Sequence, residues 1–163
     1  FDNNSTKENF INYAEQNFER IALATHAVEP FWKGLTNEAA IIFNDSEKNF
    51  LLTSSEIANL NISTDMVILS MCNSEIKDFN SIYKSFLVAG ADSVLYTHWE
   101  LDDKSAPEIT EVFFKNLFFN PSIPKHELLK KSLIEFKNNF SETKFSHPAF
   151  WGNFTLAYGS LNR

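Results

Sequence analysis

The sequence predicts an α/β sandwich with a mostly parallel sheet. Three observations lead there. The run Met66 to Leu69 is unbroken apolar sequence, the pattern of a strand buried on both faces of a parallel sheet. Runs of this kind alternate along the chain with stretches whose apolar residues recur at helical spacing. Helix-start signals of the form Ser/Thr-x-x-Glu stand in front of two of those stretches.

Taken in order, Ser5-Thr6-Lys7-Glu8 reads as a capping box with Ser5 as N-cap. Phe10, Ile11, Ala14 and Phe18 then make residues 6–18 an amphipathic helix. Arg20 to Thr25 is a buried strand ending at His26. Val28 to Asn37 is a loop holding Pro30 and Gly34. Glu38 to Phe43 and Phe50 to Leu52 form a hairpin around a polar turn at 44–49. Thr53-Ser54-Ser55-Glu56 is a second capping box, opening a short helix to Leu60. The strand from Met66 runs into Cys72, the only cysteine. A loop over 73–80 leads to a helix from Ser81 to Ala89, with Gly90 suited to its C-terminal cap. Asp92 to His98 is a further strand. Asp102 and Asp103 offer caps for a helix from Pro107 to Phe119, with Pro107 in its tolerant first turn. Pro121 and Pro124 bracket a loop before a helix over Lys125 to Asn139. Phe154 to Tyr158 is the last strand.

At 163 residues the chain is expected to form a single domain with a real core, which 44% apolar residues and 17 Phe would fill. A net charge of −7 with no Lys/Arg cluster argues against nucleic acid and an anionic membrane as partners. Runs such as Phe86 to Ala91 are too short to span a bilayer. One cysteine forms no internal disulfide, which fits a cytoplasmic protein. The start carries neither a signal peptide nor a Met, so a piece of something longer is expected.

Open α/β sheets place their chemistry beyond the carboxyl ends of their strands. Cys72 and His26 both fall there. A lone cysteine is more often a small buried hydrophobe than a nucleophile, and a lone His is more often satisfied by backbone. Two such residues at two strand ends suit a thiol with its base, since the thiolate is the attacking species. They are 46 residues apart, near the spacing of about 50 in caspases. His98 closes the next strand, with Trp99 as a pocket wall. His126 and His147 read as exposed or locally bonded. No pair has zinc-ligand spacing, so no metal is expected. Glu100, Asp102 and Asp103 follow that strand. Capping accounts for one aspartate; an acidic pocket selecting a basic side chain is the alternative. Phe150-Trp151-Gly152-Asn153-Phe154 reads as core, and four glycines make a nucleotide loop improbable.

Four segments in this order look familiar together: Ala22-Leu23-Ala24-Thr25-His26-Ala27, Leu69-Ser70-Met71-Cys72-Asn73-Ser74, Phe86 to Asp103, and His147 to Gly159. The chain resembles the CHAT domain, a module related to caspases, separases and gingipains. The resemblance implies a caspase-like α/β/α sandwich and a cysteine endopeptidase without cofactor. His26 matches the catalytic histidine and Cys72 the nucleophile. The oxyanion donors would be the N–H groups of Ala27 and Cys72. Trp99, Glu100, Asp102 and Asp103 match the border of the substrate groove, where a peptide adds as a strand. The implied partners are a protein or peptide substrate and a regulatory protein or attached repeat domain. The family usually begins with strands ahead of the His strand, so this chain is expected to lack them. It usually has Gly where this chain has Ala27, and a positive φ there would strain alanine. It also tends to have a Gly shortly after the Cys, which is missing here. A peptide-binding module without catalysis, and a small-molecule thiol hydrolase on a flavodoxin-like sheet, are the competing readings.

Overall fold

The computed structural model describes residues 5–44, 50–71, 82–99, 102 and 104–159. Two compact units result, one of residues 1–99 with 155–163 and one of residues 100–154.

The first unit is built on a sheet of β1 (Arg20–Ala24), β5 (Met66–Ser70), β6 (Ser93–Thr97) and β7 (Phe154–Tyr158), in the order β1-β5-β6-β7. β1 and β6 both pair with β5 in parallel. β7 runs the other way: the Gly159 N–H donates to the Asp92 carbonyl at 2.9 Å, while His98, just past β6, meets Thr155 at the start of β7. This is the mixed α/β, mostly parallel sheet expected of the caspase-like class. β5 is central, and Met66 to Leu69 are no more than 1% exposed, so its unbroken apolar run is explained by burial on both faces.

On one face, Leu23, Val67, Leu69, Val94 and Tyr96 form a core with three helices. These are α1 (Lys7–Ala14), α2 (Ser54–Ala58) and α3 (Ile82–Ala89). Phe86 of α3 is fully buried and meets the edge of Phe10 of α1. A second, antiparallel sheet contains β2 (Ala27–Val28), β3 (Ala40–Ile42) and β4 (Leu51–Thr53). The β3–β4 hairpin and the Thr53–Glu56 capping box are as the sequence indicates. Gly90 has φ 122, and Gly90 and Ala91 return N–H groups to Leu87 and Phe86, a glycine-closed helix end.

In the second unit, α4 (Ser105–Phe119) packs on α5 (Lys125–Asn139). Ile109, Phe113, Leu128 and Phe136 are buried there, and the Asn116 amide donates to the Ser132 hydroxyl at 2.9 Å. Phe150 and Trp151 are half-buried, while Asn153 and Phe154 are buried, so the C-terminal aromatic group is only partly core.

Three expectations need correction. The first helix is 7–14, not 6–18, because Asn17 turns to φ 57 and leaves Phe18 46% exposed. Its N-cap is Thr6, whose hydroxyl accepts from the Asn9 N–H; the Ser5 carbonyl instead accepts from Asn44. The loop expected from Val28 begins with a strand, β2, too short to show a period of two.

Candidate active site

The carboxyl ends of β1, β5 and β6 lie at one edge of the sheet, since the three strands are parallel. Every residue of β1 pairs with the residue 46 positions later, from Arg20 with Met66 to Ala24 with Ser70. His26 and Cys72 have the same separation, and each lies two residues past the last registered pair. Cys72 itself, with Glu100 and Asp103, falls outside the described residues.

His26 sits where the chain leaves β1 for β2, and its residue is exposed. Its carbonyl is held by β3, and the residue before it is tied to the same β3 residue. The Ile42 N–H donates to the His26 carbonyl at 2.9 Å, and the Thr25 hydroxyl donates to the Ile42 carbonyl at 2.7 Å. This pairing makes Ala27–Ile41 a non-hydrogen-bonded pair, so the Ala27 N–H is directed away from β3. Ala27 is in extended strand and is not among the residues of positive φ. Alanine therefore replaces glycine there without backbone strain.

The residue before Cys72 is also fixed. Met71 is 2% exposed, and its carbonyl accepts from the Thr97 hydroxyl at 3.3 Å across from β6. Thr25, Ile42 and Thr97 were not singled out from sequence. A hydroxyl at the last or next-to-last position of a strand was the only available signal, and it does not name its partner.

At the end of β6, Trp99 is 44% exposed. His98 is exposed, and its Nε2 lies 2.7 Å from the Thr155 hydroxyl. Its ring meets the edge of Tyr96, which stacks flat on Tyr83. In the second unit, the Asp102 carboxylate accepts from the N–H groups of Lys104 and Ser105 at 3.0 and 3.1 Å. These bonds, the Lys104 one foremost, hold its carboxyl below the usual range, with the nearby Lys144 and Lys104 charges assisting. Asp102 thus holds the turn that leads into α4, whose N-cap residue is Lys104 and which starts at Ser105, two residues before the expected Pro107. His147 is exposed and accepts from the Ala149 N–H; His126 is exposed on α5. Among the described residues, no three His, Cys, Asp or Glu side chains gather as a metal site, and no helix is long and apolar enough to cross a membrane.

A family model for the CHAT domain matches residues 1–160. The chain belongs to the CHAT domain family. As a CHAT domain it is a caspase-like, peptidase-related module. A search of curated proteins returns no match.

Proposed function

We propose that this CHAT domain is a cysteine endopeptidase that cleaves a protein substrate with a His26–Cys72 dyad, under the control of a partner or an attached sensor domain. The observation that supports this reading is the 46-residue register of β1 and β5, from Arg20–Met66 to Ala24–Ser70, which equals the separation of His26 and Cys72 in the sequence. Neighbouring strands lie about 4.8 Å apart, so the last registered pair, Ala24 and Ser70, brings the chain close together two residues ahead of each proposed dyad member.

In this mechanism the Cys72 thiolate attacks the scissile carbonyl and forms a tetrahedral oxyanion. His26 takes the thiol proton and returns it to the leaving amine. The Ala27 and Cys72 N–H groups stabilise the oxyanion; loss of such a donor typically costs about 10²–10³ in rate. Water then hydrolyses the thioester, with His26 as base. The unstrained Ala27 and its outward N–H support the first donor. Trp99 would line the groove for an extended peptide, and Glu100 and Asp103 remain candidates for its charge preference. Asp102 is the weakest candidate, because its carboxylate is committed to α4.

The test is a thiol-reactive peptide probe. The proposal expects labelling at Cys72 that disappears in His26→Ala, with cleavage of a peptide library. Peptide binding without labelling or cleavage would instead support the non-catalytic module.

A further inference from the structure

We propose that His98 is a positioning residue for Trp99: its bond to Thr155 fixes the chain just past β6, and the indole held there gives the site its affinity for an extended peptide. The second half rests on the peptidase reading above.

The end of β6 is tied to both neighbouring strands. Toward β5, the Thr97 hydroxyl donates to the Met71 carbonyl at 3.3 Å. Toward β7, His98 Nε2 lies 2.7 Å from the Thr155 hydroxyl. A hydroxyl both donates and accepts, so this bond forms with either tautomer of the ring. Tyr96 limits how the imidazole can turn. Its ring lies 5.3 Å from that of His98, edge to face, and stacks at 4.0 Å on Tyr83 of α3. Tyr96 is 5% exposed, so an exposed histidine is braced on a buried side chain.

His98 and Thr155 also stand where the chain leaves the first unit and returns to it, since residues 100–154 form the second. Trp99 lies between the bond and that boundary, 44% exposed. β5 and β6 pair Val67 with Val94 and Ile68 with Leu95, each with the residue 27 positions later, which equals the separation of Cys72 and Trp99 in the sequence. An exposed indole offers a peptide a large, stiff contact surface, and holding it in place beforehand removes part of the ordering cost of binding. Loss of the His98–Thr155 bond loosens the chain one residue ahead of that indole.

The experiment uses the full 163-residue chain, blocked tetrapeptide vinyl sulfones of randomised sequence as the peptide probe, and iodoacetamide as a probe too small to use a groove. In His98→Ala the pool concentration that half-saturates labelling of Cys72 should rise about fivefold, the worth of one ordinary hydrogen bond, with the maximal rate and the iodoacetamide rate unchanged. Thr155→Val should match it, and the double variant should lose no more than either. His98→Gln, whose terminal amide reaches the place of Nε2, should restore binding. The indole N–H resonance of Trp99, assigned by its absence in Trp99→Phe, should move in His98→Ala and return in His98→Gln, with those of Trp32 and Trp151 unmoved. Unchanged half-saturation, additive losses in the double variant, or an equal fall in the iodoacetamide rate would each overturn the proposal. Wild-type labelling by the pool that does not saturate would defeat the peptidase reading instead. The indole resonance then decides the first half alone, upholding it by moving and returning and overturning it by staying in place.

Discussion

Lys7 offers the sharpest test of how the first unit is held together. Its side chain is only 5% exposed, yet its ammonium lies 2.6 Å from Glu56 Oε1 and donates to the Leu51 carbonyl at 2.9 Å. It thereby joins α1 to β4 and α2. Glu56→Gln keeps the shape and takes the carboxylate from a buried ammonium. Breaking a buried pair typically costs about 3–5 kcal/mol. Glu56 is 45% exposed, so water replaces part of the lost interaction, and about 2 kcal/mol is expected. For a domain of this size that lowers Tm by roughly 4–8 °C. Lys7→Met removes the buried charge as well and should cost less. The pH dependence follows from Glu56. Partial burial pushes its carboxyl up, but the Lys7 ammonium and the Thr53 N–H outweigh this and hold it below its usual value. A group depressed on folding stabilises above its unfolded pKa of about 4.3. That contribution disappears as pH falls through the lower folded value. Thermal melts of both variants from pH 7 to pH 3 check this. A Lys7→Met loss larger than that of Glu56→Gln, or a wild-type advantage over Glu56→Gln that persists undiminished at pH 3, would refute the reasoning.

Three further outcomes are expected. Thr97→Val removes the hydroxyl that holds the Met71 carbonyl; the bond is long, so about 1 kcal/mol is lost, read as a Tm decrease, with a fall in Cys72 alkylation beyond what stability explains. Asp102→Asn should weaken the start of α4 and leave any cleavage preference unchanged, checked by melting and by profiling a peptide library. Gly90→Ala forces a side chain onto φ 122 and should cost about 1–3 kcal/mol in denaturant unfolding.

The most legible elements were those whose signal is local. β5 announced itself because both faces are buried, and β7 and α5 fell on the residues expected, Phe154–Tyr158 and Lys125–Asn139. Thr53 and Glu56 form their box within four residues. Where partners are distant in sequence, the chain gave less. Ser5 was read as the N-cap of the first helix, but Thr6 fills that position, and the Ser5 carbonyl accepts from Asn44, far off in sequence. β2 exists only because β3 lies beside it. His26 was visible as a strand-end residue, but the bond from the Ile42 N–H that holds its carbonyl comes from a different element, β3. The shared register of β1 and β5 is likewise a property of pairing, although the separation of His26 and Cys72 could be counted beforehand.

The central claim is that His26 activates Cys72. The direct measurement is the rate of Cys72 alkylation by iodoacetamide from pH 5 to pH 10, in the wild type and in His26→Ala. An ordinary thiol titrates near 8.5 and is only a few per cent thiolate at pH 7, whereas a histidine-paired thiol titrates well below that. The wild type should already react near its plateau rate at pH 6–7, with the profile moved to about pH 8.5 in the variant. Two superimposable profiles, both centred near 8.5, would contradict it.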